Sequence, residues 1–204
     1  MVRTHDQEKR TAILKAARTI FLRDGYAAAK ISDIASESGV APGTLYLYFA
    51  SKEALASALG EDLLNRVGNQ FAKVIKKLDT PEGVDALLDW ALRIGMKERD
   101  ILALVKQSKP DAKAPPQARE LFALKLSENL ADFMSRGSVR KYDDATGLAN
   151  VVLAVMHRLI MSCAMYEDSN PELVKTSAVK LLQHALFDDA ALKRWRASSQ
   201  KQSL

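Results

Sequence analysis

Residues 25–55 read GYAAAKISDIASESGVAPGTLYLYFASKEAL, and the order of signals in this stretch decides the fold. An apolar edge at helical spacing predicts a brief helix over about residues 31–37. Gly39 then lies in a tight turn, because glycine adopts backbone conformations that other residues disfavour. Pro42 suits the first turn of a second short helix, over about 42–48, where a missing N–H group costs nothing.

Longer helices are predicted on both sides of this pair. The preceding helix is expected to end at Asp24-Gly25, and its apolar stripe consists of Ile13, Leu14, Ala17, Ile20 and Phe21. After the pair, Ser51 suits the N-cap of a helix that continues to about Lys77, through Gly60 and Gly68. This order is the helix-turn-helix arrangement, in which the second short helix enters the major groove of DNA.

The second short helix is predicted to face inward with Leu45 and Phe49 and outward with small and hydroxyl-bearing residues. Small residues let the backbone approach base edges, and hydroxyl groups can bond phosphates. Lys52 is predicted to contact a phosphate, the alternative being an ordinary solvated lysine. Ser32 is expected to reach either a base or a phosphate. The predicted DNA contacts are Lys30, Ser32, Ala41, Pro42, Gly43, Thr44, Tyr46, Leu47, Tyr48 and Lys52.

The same stretch resembles the signature of the TetR family of bacterial transcriptional regulators. The resemblance covers roughly the first 55 residues, and its matching residues are Ile13, Leu14, Ala16, Ala17, Phe21, Gly25, Tyr26, Asp33, Ile34, Ala35, Gly39, Val40, Gly43, Thr44, Leu45, Tyr46, Phe49, Ser51, Lys52, Glu53 and Leu55. It implies a three-helix DNA-binding domain, a divergent ligand-binding domain, and dimerisation through the last two long helices.

Two positions depart from that family's usual pattern. Ala29-Lys30 replaces a small hydroxyl residue at the start of the second helix, and Lys30 is expected to give a charged phosphate contact in its place. Ala41 stands where the family often has a serine, so the groove helix is predicted to lack a side-chain cap worth about 1 kcal/mol.

The rest of the chain is predicted to be helical, which makes the fold all-α. Residues 109–116 are a Pro-rich loop and residues 188–204 a polar, basic tail. The further helices are expected over about 82–96, 98–107, 117–136, 143–166 and 171–187. We divide the chain into a helix-turn-helix DNA-binding domain, residues 1–50, and a helical ligand-binding and dimerisation domain, residues 51–204.

The helix over 143–166 is apolar nearly all round, which requires burial on every side. Its Asn150, His157 and Arg158 argue against a membrane span. With the helix over 171–187 it is predicted to form a four-helix interface across a two-fold axis. A two-fold dimer matches a pseudo-palindromic operator on double-stranded DNA.

A ligand pocket is expected between the long central helices, although plain core packing explains the same residues. The candidate lining residues are Trp90, Met96, Phe122, Leu126, Phe133, Met134 and His157. His157 either anchors a ligand, bonds across the dimer or is a satisfied core histidine.

Composition narrows the function classes. The 204 residues carry a net charge of +5, which suits a nucleic-acid partner without requiring one. Cys163 is the one cysteine, so intramolecular disulfides and cysteine-pair metal sites are excluded. His5, His157 and His184 lack any metal-ligand or nucleophile–base spacing, and the chain has no Gly-rich phosphate loop, so neither an enzyme nor a cofactor is predicted. The charged start of the chain does not resemble a signal peptide, which favours the cytoplasm.

The sequence thus favours a ligand-responsive regulator, expected to be a repressor, that binds its operator as a homodimer and is released by a small-molecule effector. The effector would change the separation of the two groove helices, with the helix after Ser51 as the lever. The alternatives are an enzyme, which the residue pattern disfavours, and a helical dimer that serves only as a protein-interaction module and retains no DNA.

Overall fold

The computed structural model describes residues 2–108, 117–165 and 170–201, and within those ranges the chain is helical with no strand. This confirms the all-α prediction, while the Pro-rich loop at 109–116 lies outside the described residues. A 3-10 turn, Ile75–Lys77, separates the fourth and fifth helices. The α-helices are α1 Val2–Ala28, α2 Ile31–Ser38, α3 Pro42–Tyr48, α4 Lys52–Val74, α5 Pro81–Lys97, α6 Arg99–Gln107, α7 Gln117–Ser135, α8 Ala145–Met165, α9 Pro171–Leu186 and α10 Asp189–Lys201.

The described residues form two compact units. The first combines the described parts of 1–65 and 98–115, so α6 belongs with α1, α2, α3 and the first part of α4. The second combines the described parts of 66–97 and 116–204, with α5, α7, α8, α9 and α10. The functional boundary placed at residue 50 stays a prediction.

The core of the first unit is made by the inner faces of its helices. α1 packs against both α2 and α6, and α2 packs against α3. Arg18 on α1 donates to the buried carboxylate of Glu98, just before α6, at 3.2 Å. The fully buried side chains here include Ile13, Ile20, Phe21, Ile34, Leu45, Leu55 and Ile101.

The end of α1 differs in detail from its prediction. Regular helix is interrupted at Gly25, whose φ of 77° lies in the region that favours glycine, as expected. The chain then resumes a helical turn to Ala28, and Ala29 N–H donates to the Gly25 carbonyl at 3.1 Å. α1 is therefore three residues longer than predicted, because residues 26–28 after Gly25 are also helical.

The predicted start of α4 is confirmed, because the Ser51 hydroxyl accepts a hydrogen bond from Ala54 N–H at 3.1 Å. The helix continues through both of its glycines. A Cβ on Gly60 would lie 3.2 Å from a methyl group of Val105 on α6, so a glycine there allows close packing of α4 and α6.

In the second unit α8 lies against α5, α7 and α9. By length and a mean hydropathy of 1.4 alone, Ala145–Cys163 would qualify as a membrane span, but the core helix of a soluble protein passes the same test. α8 packs against three helices, and 28% of this stretch is buried within a single chain. Asn170 caps α9, since its side chain accepts from Glu172 N–H and Leu173 N–H.

The prediction of a polar tail over residues 188–204 is wrong for its described part, which is α10. Asp188 caps this helix by accepting from Ala191 N–H at 2.6 Å. Leu192 is buried, and the indole of Trp195 donates to the Glu82 carboxylate on α5. A cap and two apolar side chains three positions apart are thus enough to order this basic segment as a helix.

Candidate nucleic-acid interface

The turn between α2 and α3 is held by backbone bonds and one glycine. Gly39 has a left-handed conformation, φ 71° and ψ 25°, and Val40 N–H donates to the Ala35 carbonyl at 3.0 Å. The Ser38 hydroxyl donates to the Ile34 carbonyl at 2.8 Å. The sharp change in chain direction predicted from the sequence is thus confirmed.

α3 begins at Pro42 and has the predicted bounds. Ala41 occupies its N-cap position without a side-chain hydrogen bond, as the departure from the family pattern predicted. Leu45 is fully buried, and Phe49 just after the helix is also buried. Because a two-turn helix is too short to persist alone in water, these two anchors hold it in place.

The opposite side of α3 is open to solvent. Tyr46 is 53% exposed and Leu47 is 85% exposed. Pro42 and Gly43 are exposed, as is Ala41 just before the helix, and Thr44 is half-buried. These residues form one surface, which we call the α3 face, defined by Ala41, Pro42, Gly43, Thr44, Tyr46 and Leu47.

Lys30 and Ser32, at the start of α2, are exposed as well. Lys30 is the N-cap residue of α2 and makes no side-chain capping bond. The Ser32 hydroxyl donates to the Asp33 carboxylate at 3.2 Å. Of these two exposed side chains, Ser32 thus has a hydrogen-bond partner within its own helix.

Tyr48 is half-buried and has a partner that sequence reasoning missed. Its hydroxyl donates to the Asp6 carboxylate on α1 at 2.5 Å. This bond, followed by desolvation, raises the pKa of Tyr48 above its ordinary value. Arg10, also on α1, stacks over the Phe49 ring at 5.3 Å. The beginning of α1 thus supports the end of α3, a contact across about forty residues that no local pattern reveals.

Lys52 is engaged inside the first unit. Its ammonium donates to the carbonyls of Ala27 at 3.1 Å and Ala29 at 3.2 Å, and it lies 4.8 Å from the centre of the Tyr26 ring. The Tyr26 hydroxyl donates to Glu53 at 2.9 Å. Burial, and then this bond, raise the pKa of Tyr26 to about 12. Lys52 therefore ties the start of α4 to the carbonyl end of α1.

Replacing Lys52 with alanine is expected to destabilise the chain by about 2 kcal/mol, because two charge-assisted hydrogen bonds and a cation–π contact are lost. Chemical denaturation followed by circular dichroism measures this, with Lys30→Ala, at an exposed lysine, as the control that should leave stability unchanged. An unaltered midpoint for Lys52→Ala, accompanied by a loss of duplex binding, would instead make phosphate its main partner.

The helix-turn-helix segment described above is similar in sequence to known regulatory proteins. Residues 13–59 match the model of the bacterial regulatory proteins of the tetR family. The helix-turn-helix segment of this chain is of the TetR type. The matched segment contains α2, α3 and the turn between them, and therefore the α3 face.

Relatives of this chain are described as transcriptional regulators of the helix-turn-helix type. YvdT of Bacillus subtilis is 38% identical over 93 residues, which are 45% of this chain and 48% of that protein. YdgC of the same organism is 25% identical over 185 residues, 88% of this chain and 93% of that protein. The solved structure of FadR from Bacillus subtilis in complex with stearoyl-CoA has a TM-score of 0.62 at 20% identity, covering 84% of this chain and 96% of that one.

The second unit brings together some of the predicted pocket residues. The Trp90 ring lies 5.8 Å from Phe71, and Phe71 meets Phe122 edge-on at 4.7 Å. The Trp90 indole donates to Gln70 at 3.1 Å. We call Gln70, Phe71, Trp90 and Phe122 the aromatic cluster; Gln70 and Phe71 were not among the predicted residues.

The other predicted pocket residues range from buried to exposed. Leu126 and Phe133 are buried, and Met134, near the end of α7, is half-buried. Met96 and His157 are exposed. The described structure thus joins Trp90 and Phe122 through Phe71, a residue that the helical spacing along α4 could have added to the prediction.

Proposed function

We propose that this TetR-family chain is a ligand-responsive repressor, located in the cytoplasm, that binds a pseudo-palindromic operator as a homodimer and is released by a small-molecule effector. The observation that supports DNA binding best is the division of α3 into an anchored side and an open side. Leu45 is buried while Tyr46 and Leu47, the next two residues, are exposed. A helix built in this way presents side chains to a partner, and the major groove admits one helix.

The residues proposed to contact DNA are those of the α3 face together with Lys30, Ser32, Tyr48 and Lys52. Exposed lysine and hydroxyl groups favour phosphate oxygens, whereas the α3 face is suited to base edges. Tyr48 fixes the end of α3 to α1, and Lys52 fixes the start of α4 to the end of α1, so we assign both a supporting role in addition to any phosphate contact.

Dimerisation is proposed through α8 and α9. Three apolar side chains on these helices, Val151, Leu173 and Leu181, are more than half exposed in a single chain. Exposed apolar side chains at helical spacing favour burial against a second copy related by two-fold symmetry. Such a dimer would offer two α3 faces to the two halves of a pseudo-palindrome.

The effector is proposed to bind in the second unit, near the aromatic cluster. Aromatic side chains beside one polar amide, Gln70, resemble the lining of pockets for small molecules. FadR of Bacillus subtilis, a protein with a similar fold, was solved with stearoyl-CoA, which supports a small-molecule effector as a class. An effector that prefers one arrangement of the dimer would lower operator affinity through α4, the helix shared by both units.

The proposal is tested by selecting genomic DNA fragments with the purified protein and footprinting those retained. The expected result is a protected pseudo-palindrome whose binding weakens steeply as salt rises, because phosphate contacts release counterions. Selection without any enriched fragment would reject DNA binding and favour a protein-interaction module. Enrichment of a single asymmetric site would reject the two-fold dimer.

Tyr46→Phe is expected to weaken binding to the selected operator about fivefold, because one hydrogen bond is worth about 1 kcal/mol. Fluorescence anisotropy at fixed salt measures the affinity. Tyr142→Phe is the matched control: its hydroxyl bonds the Ala185 carbonyl in the second unit, so operator affinity should not change. Equal affinities for wild type and Tyr46→Phe would remove Tyr46 from the interface.

A further inference from the structure

The α3 face lacks the side chains that read most bases. Between Ala41 and Tyr48 the sequence is APGTLYLY, with no arginine, lysine, asparagine or glutamine. Arginine and lysine recognise guanine, while asparagine and glutamine recognise adenine through paired hydrogen bonds. Paired hydrogen bonds to guanine or adenine are therefore not available to this helix, which leaves single hydrogen bonds from Thr44 and Tyr46 and apolar contacts.

Leu47 is the most prominent group on the α3 face. It is 85% exposed, far more than Leu45 two residues before it, which is fully buried. Its side chain can neither donate nor accept a hydrogen bond, so it gains nothing from phosphate or water. The groove offers one apolar group that distinguishes base pairs, the C5 methyl group of thymine.

Gly43 lies one helical turn before Leu47 and supports the same interpretation. Its conformation is an ordinary helical one, and a Cβ added there would meet nothing within 4 Å. The fold therefore has no need of glycine at this position, although glycine weakens a helix. A missing side chain beside Leu47 leaves room for a base pair to approach the backbone.

We propose that Leu47 reads thymine methyl groups in the operator, with Gly43 providing the space for close approach. This inference rests on the proposed DNA-binding function and adds the chemistry of the recognised base. Removing one buried methyl group should weaken binding about fourfold in each half-site. The operator is therefore expected to place thymine at the base pairs that face Leu47.

The test begins with selection from a random-sequence duplex pool by the wild-type protein. The recovered duplex is then synthesised with each thymine replaced in turn by deoxyuridine, which lacks only the C5 methyl group. Anisotropy titrations at one salt concentration compare wild type, Leu47→Ala and Leu64→Ala. Leu64 is an exposed leucine on α4 in the same unit, outside the α3 face, and serves as the matched control.

The expected result is one or two positions per half-site at which uracil weakens wild-type and Leu64→Ala binding about fourfold. Leu47→Ala should bind the thymine and uracil duplexes equally at those positions, while its circular dichroism spectrum stays that of the wild type. Indifference of the wild type to every uracil would overturn the inference, as would discrimination that survives in Leu47→Ala. A pool without any enriched duplex would reject the proposed DNA-binding function itself, and this inference with it.

Discussion

Gly83→Ala is expected to destabilise the chain by about 3 kcal/mol or more, because the added methyl group has no space. A Cβ at this position would lie 1.6 Å from the Lys77 carbonyl oxygen and 2.3 Å from its carbonyl carbon. Both atoms are backbone, so a change of side-chain rotamer cannot relieve the overlap. The neighbouring turn is also fixed, since Gly83 N–H donates to the Thr80 hydroxyl at 3.1 Å.

Thermal unfolding followed by circular dichroism should show Tm lowered by about 6 to 12 °C, from 2–4 °C for each kcal/mol in a domain of this size. Gly68→Ala is the matched control inside α4. Its Cβ would lie 3.8 Å from the Phe122 ring, which is ordinary contact, and alanine favours a helix by about 0.5–1 kcal/mol over glycine. Similar effects from the two substitutions would show that the backbone near Lys77 can move aside.

The double variant Leu173→Glu, Leu181→Glu is expected to weaken the proposed homodimer at least a hundredfold. Both leucines lie on one side of α9 and are 65% and 61% exposed in a single chain, so the charged variants should fold. At an interface each carboxylate would be buried without a partner, which costs several kcal/mol. Sedimentation velocity over a range of protein concentrations measures the dissociation.

Leu124→Glu is the control for this experiment. Leu124 on α7 is 56% exposed, comparable with the two α9 leucines, but lies outside the proposed interface. The control should remain as dimeric as the wild type. If the double variant stays dimeric, the interface lies elsewhere on the chain; a monomeric wild type would reject the homodimer altogether.

Local signals in the sequence were sufficient for most helix bounds. Ser51, Pro42 and Gly39 each act within a few residues, and each is found in the predicted role. α10 was missed because its cap, Asp188, and its buried Leu192 were outnumbered by exposed basic residues. Nothing in the sequence distinguishes Gly83 from other residues near a helix start. Only glycine fits there because the Lys77 carbonyl lies close to it, and that contact depends on the tertiary structure.

The sequence was sufficient to predict the exposed face of the candidate site, but not the hydrogen bonds that hold α3 and α4 against α1. The alternation of buried Leu45 with exposed Tyr46 and Leu47 follows from helical spacing. The bonds from Tyr48 to Asp6 and from Lys52 to the end of α1 join residues more than twenty positions apart. Contacts at that separation depend on tertiary packing, which periodicity and capping rules leave undetermined.

One side of α3 is buried in the core and the other is exposed to solvent. This division has a consequence for how the exposed side can change in evolution. Leu45 and Phe49 secure the helix, while Gly43 and Leu47 contribute little to folding because they face solvent. Substitutions on the outer side can therefore accumulate without endangering the native state. A change in the proposed operator specificity would then require only a few substitutions within two helical turns, with the rest of the fold unchanged.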